Sequence, residues 1–315
     1  MSAEPSALEP VHSRPYRDDA DFRRIRQLAI DTYPIIPVAW NWDIRRWEGL
    51  RHYAADPAPD PRWREWICLW ETLGGRPVGV ANPEGRLGEA FLQLHPDYRH
   101  LEEEMVAWCE EHLSVTSEES GRRLWIYVHD YDLPRRSLLR QRGYVERAEW
   151  GVARRWRLGG RPWPVSSLPA GYLLRETRSD PTDDQGIADL LNAAFGRTSH
   201  TAAEFRGFTT NAPSYRRDLD LVAQAPGGGL ACYVGITWDP PNRRGMFEPV
   251  CTHPDHRRRG LALAVMGEGL GRLRALGALD AFVESGSAEP ANALYDRVGC
   301  AEAYAGHYWR KALPG

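Results

Sequence analysis

The hexapeptide Leu94-His95-Pro96-Asp97-Tyr98-Arg99 returns 158 residues later as Thr252-His253-Pro254-Asp255-His256-Arg257. Gly143-Tyr144 returns as Gly299-Cys300 at an offset of 156. Each match is short. Both stand in the same order, at nearly one offset and in similar element patterns, which is how duplication of one fold reads in a sequence. Between the halves, Leu158 to Ala170 holds two glycines and three prolines, so neither a helix nor a central strand can run through it. A chain of 315 residues has room for two domains of ordinary size. The expected division is a flexible N-terminus at 1–14, one domain at 15–158, a linker at 159–170 and a second domain at 171–315.

Periodicity fills in the second half. Tyr172 to Thr177 alternates as a strand, and Asp183 to Phe195 carries Ile187, Leu190, Leu191 and Ala194 on one helical face. Thr201 to Phe208 reads as a second short helix. Leu219 to Ala225 and Leu230 to Trp238 flank Pro226-Gly227-Gly228-Gly229 as a hairpin. Strand Gly245 to Thr252, helix Gly260 to Leu276, strand Leu279 to Ser285, helix Pro290 to Val298 and strand material from Ala301 to Lys311 follow. The first half repeats this more faintly: helices at Asp21 to Thr32 and Ile44 to Tyr53, strands at Glu65 to Thr72, Arg76 to Ala81 and Leu87 to Leu94, then helix Leu101 to Leu113, strand Arg123 to His129, helix Pro134 to Arg142 and closing strands from Glu146 to Leu158. The fold class is α/β: in each half a mixed, mostly antiparallel sheet (an α+β arrangement) flanked by helices.

Composition excludes several classes. Hydrophobic residues are 42% and charged residues 26%, an ordinary globular balance, and no apolar run approaches a bilayer span. The net charge of −3 argues against nucleic acid or an anionic membrane as partner. Met1 to Pro10 is polar and Pro-interrupted, unlike a signal peptide. The five cysteines are scattered without a CxxC pair, which reads as reduced thiols in a cytoplasmic protein, with no metal site. Of 13 Trp, 11 lie at or before Trp163, so the halves have diverged in composition.

The stretch Val250-Cys251-Thr252-His253-Pro254-Asp255-His256-Arg257-Arg258-Arg259-Gly260-Leu261-Ala262-Leu263 carries the chemistry. A strand ends at Thr252 and a helix starts at Gly260. Such a turn presents unpaired N–H groups at the positive end of a helix dipole, and glycine lets a phosphate approach them. With Arg257, Arg258 and Arg259 added, it is an anion cradle suited to a pyrophosphate. Taken alone, the same stretch also describes an arginine-rich exposed turn. Neither GxxxxGK[ST] nor GxGxxG occurs here.

Arg257-Arg258-Arg259-Gly260-Leu261-Ala262 resembles the R/Q-x-x-G-x-G/A acyl-CoA motif of the GNAT superfamily of N-acetyltransferases. Thr252-His253-Pro254 and Ala293-Leu294-Tyr295-Asp296-Arg297-Val298-Gly299 look like further signatures of that family. The resemblance covers Tyr172 to Lys311 well and Tyr16 to Leu158 only in outline. As two GNAT-like domains in tandem, the arrangement is similar to that of mycothiol synthase. The resemblance implies acetyl-CoA as co-substrate, held by the amides from Arg258 through Leu263. It also implies a strand at Val250 to Thr252 that splays from Ala281 to Val283, its free edge pairing with pantetheine. Asn292 lies near the position of a CoA-contacting Asn, although the expected place holds Ala288, and Cys300 replaces the usual Phe.

An ammonium acceptor must lose a proton before it attacks. Glu248 is the base candidate, since it alternates with Val250 and Thr252 on one strand face. The resemblance makes Tyr295 the general acid for the departing thiolate. Cys251 points the other way and reads as core. In the first half, Leu101-Glu102-Glu103-Glu104 aligns with Arg259 to Ala262, and Leu139 aligns with Tyr295. Three glutamates at a phosphate position repel the ligand, so that domain is expected to be degenerate. Tyr33 to Asp43, aromatic and Pro-stiffened, is either an acceptor-pocket wall or core. The expected function is transfer of acetyl to the primary amine of a small molecule, in a ternary complex in the second domain, by a monomer or weak dimer. The alternatives are a non-catalytic acyl-CoA-binding or regulatory protein and a protein acetyltransferase.

Overall fold

The computed structural model of the protein describes residues 8–35, 43–53, 61–119, 121–159, 163 and 166–314. In chain order the elements are β1 (Val11–Pro15), α1 (Asp19–Thr32), α2 (Ile44–His52), β2 (Cys68–Thr72), β3 (Pro77–Asn82), β4 (Glu89–Leu94), α3 (Glu102–His112), β5 (Val115–Ser117), β6 (Gly121–His129), α4 (Leu133–Gln141) and β7 (Val145–Arg157). They continue with β8 (Leu173–Glu176), α5 (Pro181–Phe195), α6 (Ala202–Asn211), β9 (Asp220–Gln224), β10 (Leu230–Asp239), β11 (Arg244–Thr252), α7 (Leu261–Ala275), β12 (Asp280–Gly286), α8 (Glu289–Val298) and β13 (Glu302–Leu313).

The elements form two compact units. Unit 1 takes residues 1–44, 60–150 and 306–315, and unit 2 takes 45–59 and 151–305. In unit 1 the sheet order is β1-β2-β3-β4-β6-β13, with β5 on β6. In unit 2 it is β7-β12-β11-β10-β9-β8. Each sheet has one parallel pair, β4/β6 and β11/β12, among antiparallel neighbours. This mixed α/β layout is the expected one, but the closing strands are exchanged. Gly151 to Arg157, read as the end of the first half, pairs with β12, whereas Gly306 to Leu313 pairs with β6.

Two further segments lie elsewhere than the linear division places them. Val11–Pro15 belongs to no flexible terminus; it is strand β1, paired with β2 from Val11↔Thr72 to Pro15↔Cys68. Arg45 to His52 of α2 belongs to unit 2. Of the expected strand Glu65 to Thr72, only Cys68–Thr72 is extended, because Pro61–Trp66 winds into a short 3-10 helix. The aromatic segment Tyr33 to Asp43 falls largely outside the described residues, as do Gly160 to Pro162, Pro164 and Val165 of the linker.

The duplication reaches into buried charge. In unit 1, Arg14 bonds Asp21 at 2.7 Å, and Asp21 also accepts the Arg17 amide at 2.9 Å. In unit 2, Arg175 bonds Asp183 at 2.6 Å, and Asp183 accepts the Arg178 amide at 2.6 Å. Burial opposes both carboxylates' charge, but these bonds outweigh it and hold both below the usual range. Each first strand is thereby tied to the N-terminus of its first helix. Local rules set the helix ends: Asp180 caps α5 through the Asp183 amide, with Pro181 in the first turn, and Thr201 with Glu204 forms a capping box on α6.

Two apolar layers sandwich the unit 2 sheet. Leu263, Met266, Leu270 and Leu273 of α7 pack with Ile236 and Phe247 on one face; Ile187, Leu190 and Leu191 of α5 pack with Val222, Tyr233 and Cys251 on the other. In unit 1, Met105, Val106 and Cys109 of α3 pack with Leu92, Ile126 and Trp309. In each unit the long helix thus holds one sheet face and leaves its own N-terminus beside the parallel strand pair.

Candidate active site

Strand β11 carries an irregularity that decides the site. Its pairing with β10 runs Cys232↔Thr252, Tyr233↔Cys251 and Val234↔Val250, then resumes at Ile236↔Phe247. Glu248 and Pro249 therefore stand opposite Gly235 alone, as a β-bulge. The extra residue breaks the strict alternation expected for Glu248, Val250 and Thr252. Phe247 and Val250 pack toward the α7 side, whereas Cys251 packs toward α5. Glu248 is exposed at the bulge itself.

Beyond the bulge, the His253 amide bonds the Ala231 carbonyl at 2.9 Å. In an antiparallel ladder alternate residues bond alternate neighbours, so Val250 and Thr252 turn their main-chain groups toward β12. Cys251 is set apart from them: its main chain faces β10, and its thiol is buried in the α5 layer. Burial pushes that thiol up, which keeps it protonated. The β11–β12 pairing consists of Arg244↔Asp280, Gly245↔Ala281 and Met246↔Phe282. The opening thus begins at Val283, two residues later than expected at Ala281. Val250 and Thr252 line it with backbone that β12 does not pair.

The opening leads to the start of α7. After Thr252 a short turn at Pro254–His256 is closed by His253, whose Nδ1 accepts the Asp255 amide at 3.3 Å. Arg258 and Gly260 then adopt left-handed backbone, with φ of 60° and 77°. Gly260 is the N-cap of α7 and makes no side-chain capping bond. The amides of Leu261, Ala262 and Leu263 in the first helical turn are thus left to solvent or a ligand. A left-handed residue before a helix turns successive N–H groups into one concavity, an anion-binding nest. The three arginines are exposed. Arg257 is partly spent, since it bonds the Ala194 carbonyl at 2.8 Å and that of Thr252 at 3.3 Å.

On the other side of the opening stands α8. Tyr295 is 5% exposed, and burial, reinforced by the Glu248 carboxylate nearby, pushes its phenol up to about 12. Arg154 lies 5.9 Å from its ring centroid. Arg154 also bonds Asp296 at 2.9 Å, Asn292 at 2.8 Å and Ser285 at 3.1 Å. Asn292 accepts from Arg154 and from Ser285, and donates to the Gly286 and Ala288 carbonyls at 3.0 and 3.1 Å. Its amide is occupied in tying α8 to the end of β12. Arg154 and Ser285 were not foreseen from sequence. The signal for Arg154 lay in the exchanged strand, read with the wrong half.

Unit 1 holds the counterpart. His95 Nδ1 accepts the Asp97 amide at 3.3 Å, as His253 does for Asp255. The β4–β6 pairing consists of Glu89↔Trp125 and Ala90↔Ile126, and the His95 amide bonds Val78, so Leu92 faces a comparable opening. Here Arg135, fully buried, bonds the Leu92 carbonyl at 3.2 Å and also bonds Glu102. Arg99 bridges Glu102 and Asp132 at 2.8 Å each. Burial opposes the Asp132 charge, but Arg135 and Arg99 hold its carboxyl below the usual range.

Among the described residues, no three His, Cys, Asp or Glu side chains are grouped to hold a metal ion, and no helix is long and apolar enough to cross a membrane. Residues 187–300 match the acetyltransferase (GNAT) family. A comparison with curated protein sequences finds no match. Among solved structures, the chain is similar to a GCN5-related N-acetyltransferase from Sphaerobacter thermophilus, with TM-score 0.63 and 21% identity, covering 98% of each chain. It is also similar to a tandem GNAT protein from the clavulanic acid biosynthesis pathway, with TM-score 0.61 and 19% identity, covering 97% of this chain and 100% of that one. The parted strands, the glycine turn and the tyrosine helix all fall inside the matched segment, so the chain carries at residues 187–300 a GNAT acetyltransferase domain within a tandem GNAT fold.

Proposed function

We propose that the chain is an acetyl-CoA-dependent N-acetyltransferase with one working site, in unit 2, acting on the primary amine of a small molecule by direct attack in a ternary complex. The observation that carries this is the opening of β11 from β12 at Val283, which ends on the uncapped, left-handed Gly260 turn. The turn suits a pyrophosphate, and the free edge at Val250 and Thr252 suits the amides of a pantetheine arm. Acetyl-CoA supplies an activated acetyl thioester. Glu248 accepts the proton of the acceptor ammonium, and a β11 amide polarises the thioester carbonyl. Tyr295 keeps its proton throughout the working pH range and gives it to the departing thiolate. Asn292 and Arg154 hold α8, and so Tyr295, in place. Unit 1 carries no ligand in this reading. The five cysteines are free, in keeping with a cytoplasmic protein.

Calorimetric titration with acetyl-CoA tests the site, and a screen of amine acceptors tests the reaction. One site per chain is expected. Glu248→Gln and Tyr295→Phe should each lower kcat by about 10²–10⁴-fold with acetyl-CoA binding retained. A general acid is lost as pH rises through its pKa, so the raised phenol should keep kcat from falling at pH 8–10, where an ordinary tyrosine of pKa about 10 begins to fail. Binding without turnover of any acceptor would favour a regulatory protein; turnover of peptide amines alone would favour a protein acetyltransferase.

A further inference from the structure

Helix α2 is encoded in the first half of the chain, yet its Arg45–His52 stretch stands in unit 2 and reaches both parted strands. Arg45 Nε donates to the Glu248 carbonyl at 3.2 Å, on β11. Arg46 lies 3.3 Å from the Glu284 carboxylate, on β12. Glu48, fully buried, accepts the Ser214 amide at 3.1 Å and the Ser214 hydroxyl. The helix is thus held to both parted strands and, through Glu48, to Ser214.

Arg45 itself is held tightly. It is 5% exposed, with its guanidinium carbon 4.1 Å from the Phe208 ring centroid and 5.1 Å from that of Tyr53. Those two rings stack at 4.6 Å. Asp220, Glu204 and Glu248 are the acidic groups acting on the same Tyr53 ring. A guanidinium packed against a stacked ring pair and almost fully buried has little room to turn, so its bond holds the peptide that receives it.

That peptide is the bulge. A bulge leaves the ladder locally disrupted, and Pro249 has no N–H to offer. Across from it, a Cβ on Gly235 would sit 3.0 Å from the Glu248 carbonyl and 2.9 Å from the Tyr233 hydroxyl, so only glycine lets the bulge seat. The Tyr233 hydroxyl is itself held by Asp220 at 2.7 Å. The Glu248 carbonyl and carboxylate hang from one residue, so turning that peptide swings the carboxylate. We propose that Arg45 is a positioning residue: by holding the Glu248 carbonyl it aims the Glu248 carboxylate at the acceptor amine, and α2 is the strap that spans the parted strands. The proposal rests on the role given above to Glu248.

The test uses the full chain with Arg45→Met, Arg45→Lys and Arg46→Ala beside Glu248→Gln. Three quantities are read: acetyl-CoA affinity by calorimetry, kcat and KM for the acceptor, and hydrogen exchange of peptides covering 246–251. Arg45→Met should lower kcat by about 10–10²-fold, as a misaimed base does, with acetyl-CoA affinity unchanged. Exchange should quicken at 246–251 and stay constant along α7. Arg45→Lys, which keeps a donor without the planar guanidinium, should recover part of the rate. Wild-type kcat and wild-type exchange in Arg45→Met would overturn the proposal. Full activity in Glu248→Gln would overturn the base assignment instead, and exchange alone would then decide whether Arg45 holds the bulge. If Arg45→Met fails to fold, Arg45→Lys carries the rate measurement and Arg46→Ala the exchange measurement; wild-type behaviour in both would count against the strap.

Discussion

The two units run through the same His-Pro-Asp turn and then part company. In unit 2 the backbone goes left-handed at Arg258 and Gly260 before α7 begins. In unit 1 it stays right-handed through Leu101 and Glu102, at φ of −79° and −63°. The first course gathers amides around a concavity; the second spends them in helix. The side chains follow the same divide. Gly260 brings no side chain to the mouth of its opening, whereas Glu102 draws Arg135 and Arg99 into the corresponding opening of unit 1. Under the proposed function, the strand parting that both units share is therefore not enough to make an acyl-CoA site. What matters is whether the chain's own charges already fill it.

The sharpest way to break this comparison is to remove the filling. Arg135→Met leaves two buried carboxylates, Glu102 at 3% exposed and Asp132 at 6% exposed, to share Arg99. Breaking a buried ion network by deleting one partner typically costs about 3–5 kcal/mol, since the remaining charge stays desolvated. Urea unfolding of the variant should show a loss of that size, and Glu102→Gln added to Arg135→Met should recover part of it. A loss near zero would mean that the network is no fixture of unit 1.

The next effect is on binding. Gly260→Glu puts a carboxylate at the cradle and a side chain on a left-handed residue, so acetyl-CoA affinity should fall by at least about 100-fold, with roughly 1–2 kcal/mol of backbone strain adding to charge repulsion. The reverse change, Glu102→Gly, should create no site, because Arg135 still holds the Leu92 carbonyl. Calorimetry on the pair decides: a second molecule bound by Glu102→Gly would show that the glutamates, and not the arginine, close unit 1.

Much of this contrast could be read from residues alone. The offset between His95 and His253 gave the duplication away, and the hairpin at Pro226 to Gly229 and the helix faces of α5 and α7 follow from turn chemistry and period. Glycine against glutamate at the helix start separated the two units. Four things were not legible, each for a physical reason. The strand exchange leaves no local trace, since Arg154 alternates in β7 whichever sheet it joins. The bulge at Glu248 and Pro249 adds one residue without a glycine of its own to mark it; the glycine that permits it, Gly235, is on the facing strand. The Arg135 network joins residues 33 apart in sequence whose pairing depends on tertiary geometry. Arg45 was hidden more thoroughly, because its helix packs in the unit that the other half of the chain builds.

The smallest effect should be the most even. Gly143 ends α4 and Gly299 ends α8, at φ of 82° and 81°, and a Cβ at either would meet nothing within 4 Å. With no clash to relieve, Gly143→Ala and Gly299→Ala both test the left-handed backbone alone. Each should cost about 1–2 kcal/mol. Hydrogen exchange of α4 and α8 should show each helix loosened by its own substitution and not by the other. Equal costs would mean that divergence spared the scaffold and touched only the openings. A larger cost at Gly299, accompanied by a fall in kcat, would mean that the end of α8 also sets the reach of Tyr295, and the two units would then differ in more than what fills them.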